Sequence, residues 1–251
     1  MLIPRTPMLI KKLLYRLKWQ YKAGQKRIFL TFDDGPTPHV TEWVLEQLQA
    51  FGAKATFFCI GKNITRYPEL FGRILSEGHT VGNHTYTHVN GWHTDLKEYL
   101  SEIKQCGELV ESPLFRPPYG KITPAQITAI RTHPELLMPK KMATAAETLN
   151  NNGNATNDAH DRLRYPELLA PVAVPPKPQI VLWDVISGDY DTSLDKRACW
   201  QHILKNAGDG SIVVFHDSIK AFGRLEYALP RTLQHFSSKG FSFVACPLVE
   251  E

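Results

Sequence analysis

RIFLTFDDGPTPHVTEWVLEQLQAFGAKATFFCIG, residues 27–61, holds the unit that decides the fold. An apolar run at 27–32 ends in the acidic turn DDGP. Residues 41–52 then place apolar side chains at helical spacing and stop on Gly52, a plausible C-cap. A second buried-type run follows at 54–61. Two such runs joined by a helix describe parallel strands with a right-handed crossover.

The rhythm continues outward. Residues 67–78 read as a helix with proline in its first turn and glycine at its end. A short strand at 79–85 leads to a helix at 94–111, with Thr94 as candidate N-cap. A strand end and turn at 114–120 precede a helix at 123–132. Strands at 179–185 and 211–217 flank a helix at 194–208, and a helix at 225–240 leads to a last strand at 241–246. Six or seven βα units in 251 residues suit a closed or nearly closed α/β barrel of about seven parallel strands, with an open doubly wound sheet as the alternative.

Two stretches stand apart. Residues 134–178 hold seven of the eighteen prolines and the tract NNNGNATN, and are expected to form an irregular insertion or a lid. Residues 1–24 read as a basic amphipathic helix ahead of a main domain at 25–251, with Leu9, Leu13 and Leu17 at helical spacing. This helix either closes one end of the domain or makes peripheral contact with an anionic membrane. It is too charged to span a bilayer and lacks the apolar core of a signal peptide, so a cytoplasmic or membrane-peripheral place is expected.

Charge follows the same division. The net +4 arises from eight Lys or Arg and no acid in residues 1–27; the rest carries 21 basic and 25 acidic residues. The body therefore has no nucleic-acid-binding character. Its four cysteines are widely spaced and read as buried or free thiols, not a disulfide framework or a cysteine-rich metal site.

Unusual polar residues gather where the expected strands end: Asp33 and Asp34, His84 and His88, Arg116 and Tyr119, Asp184 and Asp189, His216 and Asp217. In parallel α/β folds these ends share one face, where sites are built. Alone, an Asp-Asp pair before Gly-Pro is turn chemistry. Alone, His84 and His88 are equally well a hydrogen-bonded pair or two arms of a metal site. Together with one carboxylate they form a donor set that suits zinc or a similar divalent ion.

TFDDGP, NHTYTH, RPPYG, WDVISGDY and VVFHD occur in that order. The series resembles the five signature motifs of the polysaccharide deacetylase family (carbohydrate esterase family 4), over roughly residues 26–133 and 179–246. The resemblance implies a distorted (β/α) barrel and a metal-dependent hydrolase that removes N-acetyl groups from chitin-like or peptidoglycan-like amino sugars. It implies Asp34, His84 and His88 as ligands of a divalent metal, most readily Zn, with Co as a second choice. By the same resemblance Asp33 is the catalytic base, Arg116 its partner, and the Tyr119 backbone N–H an oxyanion donor. Asp189 orients the acid His216, and Tyr190 is the aromatic groove residue beside it. A carbohydrate is the implied partner.

The chain departs from the family pattern in two places. Sixty-two residues separate Gly120 from Trp183, a much longer spacing than usual, and Tyr190 stands where many members carry tryptophan. The resemblance assigns no role to Asp184; a structural hydrogen bond is expected. Trp183, in an apolar strand, is expected in the core, whereas Trp92 stays open between packing and sugar contact. Two rival functions remain. A hydrolase of a small amide or imide would use the same site. A non-catalytic carbohydrate-binding protein would lack a base or ligand, and none is missing.

Overall fold

A computed structural model describes residues 3–22, 24–138 and 176–249. The chain runs α1 (Met8–Leu13), β1 (Arg27–Asp33), α2 (Val40–Ala50), β2 (Thr56–Cys59), α3 (Gly61–Arg66), α4 (Pro68–Ser76) and β3 (Thr80–Asn83). It continues with α5 (Leu96–Val110), β4 (Leu114–Phe115), α6 (Pro124–Thr132), β5 (Gln179–Ile180) and β6 (Val185–Ile186). The last elements are α7 (Lys196–Asn206), β7 (Ile212–His216), α8 (Phe222–Ser238) and β8 (Ser242–Phe243). The strands pair in the order β5-β4-β3-β2-β1-β7-β6, with β8 on the start of β1, and every ladder is parallel. This is a distorted (β/α) barrel.

Alternation along β1 explains its two buried faces. Ile28, Leu30 and Phe32 pack outward in one cluster with Val44 and Leu48 of α2 and Leu225, Leu229 and Leu233 of α8. Phe29 belongs to a separate cluster with Tyr21, Phe58, Leu114, Val181 and Ile212 inside the barrel. Asp33 shares that inward parity. With both faces covered, the strand reads as an apolar run without polar alternation. All four cysteines are buried and free.

The seam of the barrel lies between β5 and β6. The expected single strand at 179–185 is two short strands: Val181 N–H still bonds the Phe115 carbonyl of β4 and Asp184 N–H the Ile212 carbonyl of β7, but Leu182 between them turns to the N-terminal segment. The N-terminal segment covers this gap. Leu182 N–H donates to the Lys18 carbonyl at 2.7 Å and Lys18 N–H to the Ile180 carbonyl at 2.8 Å. Further along, Thr6 N–H reaches the Asp184 carbonyl at 2.8 Å and Ile186 N–H the Pro4 carbonyl at 2.9 Å. Extended pairing limits helix to Met8–Leu13, far shorter than the periodicity suggested, and none of that helix is buried. No helix among the described residues is long and apolar enough to cross a membrane.

Other boundaries shift by local chemistry. Asp95, not Thr94, caps α5, its carboxylate accepting from Glu98 N–H at 3.0 Å. The start of the expected insertion is anchored in the core: Leu137 and Met138 pack fully buried with Tyr99, Ile103 and Phe115. The rest of the expected insertion, 139–175, lies outside the described residues.

Asp184 is a structural brace. Its carboxylate accepts from Ser211 Oγ at 3.0 Å and Ile212 N–H at 2.9 Å, pinning β6 to β7. Asp184→Ala leaves those donors unsatisfied and is expected to cost roughly 1–3 kcal/mol in denaturant unfolding. Metal affinity should stay unchanged; a variant as stable as wild type would refute the bracing role.

Candidate active site

Asp33 closes β1 with its side chain in the barrel mouth, where it meets Arg116 from the end of β4. Arg116 Nη1 donates to Asp33 Oδ1 at 2.6 Å and to Thr31 Oγ1 at 2.7 Å. Its Nε and Nη2 donate to the carbonyls of Val181 and Leu182, each at 3.0 Å. The guanidinium stacks 4.1 Å from the Phe58 ring centre and has no exposed surface. Asp33 thus has one carboxylate oxygen fixed by a buried cation.

At Asp34 the backbone turns through φ +84°. Asn63 Nδ2 holds the Asp34 carbonyl at 2.7 Å. Behind the turn, Gly35 N–H and Thr41 Oγ1 both donate to the buried Asp217 carboxylate. A Cβ at Gly35 would overlap that carboxylate, so only glycine allows the approach. Burial pushes Asp217 up to about 8, with Thr41 and the Gly35 N–H acting the other way. Its work is to shape the turn that presents Asp34.

NHTYTH is neither helix nor continued strand. β3 stops at Asn83, and the chain doubles back through positive φ at Thr85 (+63°) and His88 (+65°). Several anchors hold this shape. Asn83 Nδ2 bonds the Ile103 carbonyl at 2.8 Å, and Asn83 Oδ1 accepts Thr85 N–H at 2.9 Å. Glu102 accepts both Thr87 N–H, at 2.6 Å, and Thr87 Oγ1, at 3.0 Å. The two imidazoles come within 5.1 Å of each other, centre to centre.

Asp34, His84 and His88 offer ligand atoms within 4.8 Å of one another. His84 Nδ1 donates to the Arg116 carbonyl at 2.7 Å, leaving Nε2 bare and facing Asp34. Burial lowers the His84 pKa to about 4, against the opposing pull of Asp33, so the ring is neutral at physiological pH. Burial also opposes the charge on Asp34, yet His88, His216 and His84 hold its carboxyl well below the usual carboxylate range. Asp34 Oδ1 is buried without a hydrogen-bond partner, although His88 Nε2 lies 3.2 Å away and His84 Nε2 3.7 Å. A buried acceptor left bare between two imidazoles fits a divalent cation.

Across the cleft, Asp189 clamps His216 twice: Oδ1 takes Nδ1 at 2.8 Å and Oδ2 takes the backbone N–H at 2.8 Å. Arg224 Nε in turn holds the Asp189 carbonyl at 2.7 Å. Burial works against a charged His216, but the Asp189 carboxylate outweighs it and raises the pKa to about 9. Tyr190 meets the His216 ring edge-on at 5.0 Å, and Tyr119, at φ +59°, meets His88 at 4.6 Å.

These groups line one cleft of about 350 Å³, containing Asp33, Asp34, His84, His88, Tyr119, Tyr190 and His216. Arg116 and Asp189 stand behind it. Trp183 lines it too, while also packing partly buried against two core clusters, so its expected place in the core holds in part. It lies between β5 and β6, so strand alternation no longer sets its direction. Ser218 and Lys220, just beyond the last motif, also line the cleft and carried no sequence signal beyond their position after His216.

Comparison with known proteins accords with this geometry. The family model described as "Polysaccharide deacetylase" matches residues 20–134. A peptidoglycan-N-acetylglucosamine deacetylase of Bacillus cereus (strain ATCC 14579) is 30% identical over 232 residues, covering 90% of this chain and 89% of that protein. The chain belongs to the polysaccharide deacetylase family. A second family member, the peptidoglycan-N-acetylmuramic acid deacetylase PdaC of Bacillus subtilis (strain 168), is 28% identical over 91% of this chain. The chain spans only 39% of that relative's length. The crystal structure of the Bc1960 peptidoglycan N-acetylglucosamine deacetylase superposes with a TM-score of 0.72 over 97% of both chains; at 24% identity it speaks to the fold.

Exchanging Asp34→Asn is expected to weaken Zn²⁺ or Co²⁺ binding by more than the roughly 10–100-fold that loss of a ligand's hydrogen-bond partner costs. Titration calorimetry measures this, with circular dichroism to check the fold. Unchanged affinity would remove Asp34 from the ligand set.

Proposed function

We propose that this protein is a metal-dependent N-deacetylase of amino sugars within a poly- or oligosaccharide of chitin-like or peptidoglycan-like type. The observation that carries the proposal is the meeting in one cleft of a carboxylate clamped by arginine, an Asp-His-His donor set and a histidine clamped by aspartate. The names of the relatives support the same class of substrate.

Asp34, His84 and His88 would hold the metal, zinc before cobalt. Such an ion supplies acidified water and a polarised carbonyl. Asp33 is the base that takes a proton from the attacking water; Arg116 fixes one of its oxygens, leaving the other for that proton. The Tyr119 N–H donates to no atom among the described residues, which suits it to receive the oxyanion of the tetrahedral intermediate. Protonated His216 gives its Nε2 proton to the departing amine nitrogen, while Asp189 keeps Nδ1 occupied and the ring oriented. Tyr190 flanks His216 as the aromatic wall on which the sugar rests.

Acetate release from chitooligosaccharides, peptidoglycan fragments and small acetylated sugars, with and without added Zn²⁺ or Co²⁺, tests this function. Metal-dependent release from at least one is expected; none from any would overturn it. In the active case, Asp33→Asn should abolish turnover yet retain metal.

His216 must be protonated to act, so kcat/KM should fall as pH rises through about 9, the raised value of its pKa. Removing the Asp189 charge lowers that pKa, so Asp189→Asn should move the alkaline limb to acid pH as well as slow the reaction. An alkaline limb that stays in place in this variant would reject His216 as the acid.

A further inference from the structure

Trp92 is 62% exposed, yet it is not free to swing. Its indole N–H donates to the Ile122 carbonyl at 3.3 Å, and Lys121 Nζ lies 5.1 Å from the ring centre. Its own backbone N–H is taken by Asn90 Oδ1 at 3.0 Å. The loop beneath is stapled to the next one: Gln126 Nε2 donates to the Gly91 carbonyl at 2.9 Å. A Cβ on Gly91 would come 2.5 Å from the Lys121 carbonyl oxygen, so the two loops lie flush. A single exposed aromatic is ordinary on a protein surface; what sets this one apart is that two loops hold its ring in a fixed orientation.

Its place says which ligand. Trp92 follows His88 by four residues, and the segment that braces it begins at Tyr119, whose ring touches His88 and lines the cleft. Three residues of chain from Tyr119 to Ile122 reach at most about 11 Å. Trp92 does not line the cleft itself, but both loops that hold it start from residues that do, which puts it within reach of sugar units adjoining the reacting one. A pyranose offers one face of C–H bonds, which complements the electron-rich face of an indole, and a rim of hydroxyls. Lys121 Nζ lies over one face of the ring, so a stacked sugar takes the opposite face.

We propose that Trp92, with Lys121, forms an outer subsite that stacks a neighbouring sugar unit of an oligosaccharide substrate. The inference rests on the deacetylase function above and adds a preference for chains over single sugars. Binding there is remote from the reacting bond, so it acts on KM and leaves kcat alone.

Acetate release by wild type, Trp92→Ala and Trp92→Phe is compared on an N-acetylated monosaccharide and the corresponding tetrasaccharide. Trp92→Ala should raise KM for the tetrasaccharide about 2- to 10-fold, the worth of an aromatic stacking contact. The monosaccharide should be unaffected, and Trp92→Phe should recover most of the loss. An equal change on both substrates, or no change on either, would overturn the subsite. Calorimetric titration of the tetrasaccharide into Asp33→Asn and Asp33→Asn/Trp92→Ala keeps the inference separate from the activity. Weaker binding by the double variant supports the subsite even if wild type releases no acetate; equal binding, or none by either variant, rejects it.

Discussion

The site depends on a charge buried inside a barrel. Arg116 has no exposure, and a guanidinium in that position costs several kcal/mol of lost hydration unless its donors are met. They are met from separate parts of the chain: Thr31 and Asp33 on β1, and the carbonyls of Val181 and Leu182 at the seam. Those carbonyls face inward because the matching N–H groups are occupied elsewhere, by Phe115 and by Lys18. The N-terminal segment is thus three hydrogen bonds away from Asp33, through Leu182 and Arg116. Closing the barrel and fixing Asp33 thus draw on the same set of hydrogen bonds.

Left-handed backbone marks where the fold yields to the site. Asp34, Thr85, His88 and Tyr119 all have positive φ without being glycine. Each such residue costs of order 1–3 kcal/mol, and the cost is offset by neighbours that allow no alternative. Asn63 and Asp217 do this for the Asp34 turn, Asn83 and Glu102 for the histidine loop. The effect is to bring the Asp34 carboxylate and two imidazoles together from a strand end that, continued straight, would carry the rings apart.

Much of this was legible in the sequence. The unbroken apolar runs of β1, β2 and β7, with helices between them, called for parallel strands and a barrel, and five strand-end motifs named the residues that line the cleft or stand behind it. What stayed hidden was set by long-range pairing. Residues 8–22 carry a helical pattern, but hydrogen bonds to the seam confine helix to Met8–Leu13, and no local signal shows a partner more than 150 residues away. The same seam splits the run at 179–185 and leaves Trp183 shared between core and cleft. Residues 134–138 looked like the start of an irregular excursion because proline is prominent there, yet Leu137 and Met138 fill the hollow beside Tyr99. Glu102 gave no sign, since a glutamate on an amphipathic helix is ordinary until its partner, Thr87, is known.

Two kinds of residue therefore build the cleft. Those that bear on bond-breaking sit at strand ends and are immobilised by burial: Asp33 and His84 are nearly inaccessible, and His216 is held through a fully buried Asp189. Those on the rim, Tyr119 and Lys220, stand on connecting loops and keep much of their surface in water. The buried set is constrained by the barrel itself, since changing any member would unsettle hydrogen bonds that also hold strands. The rim set is free of that constraint. Under the proposed function, substrate preference can shift there without disturbing the buried groups, which is why motifs fixed by the barrel leave the length and decoration of a sugar chain to the loops.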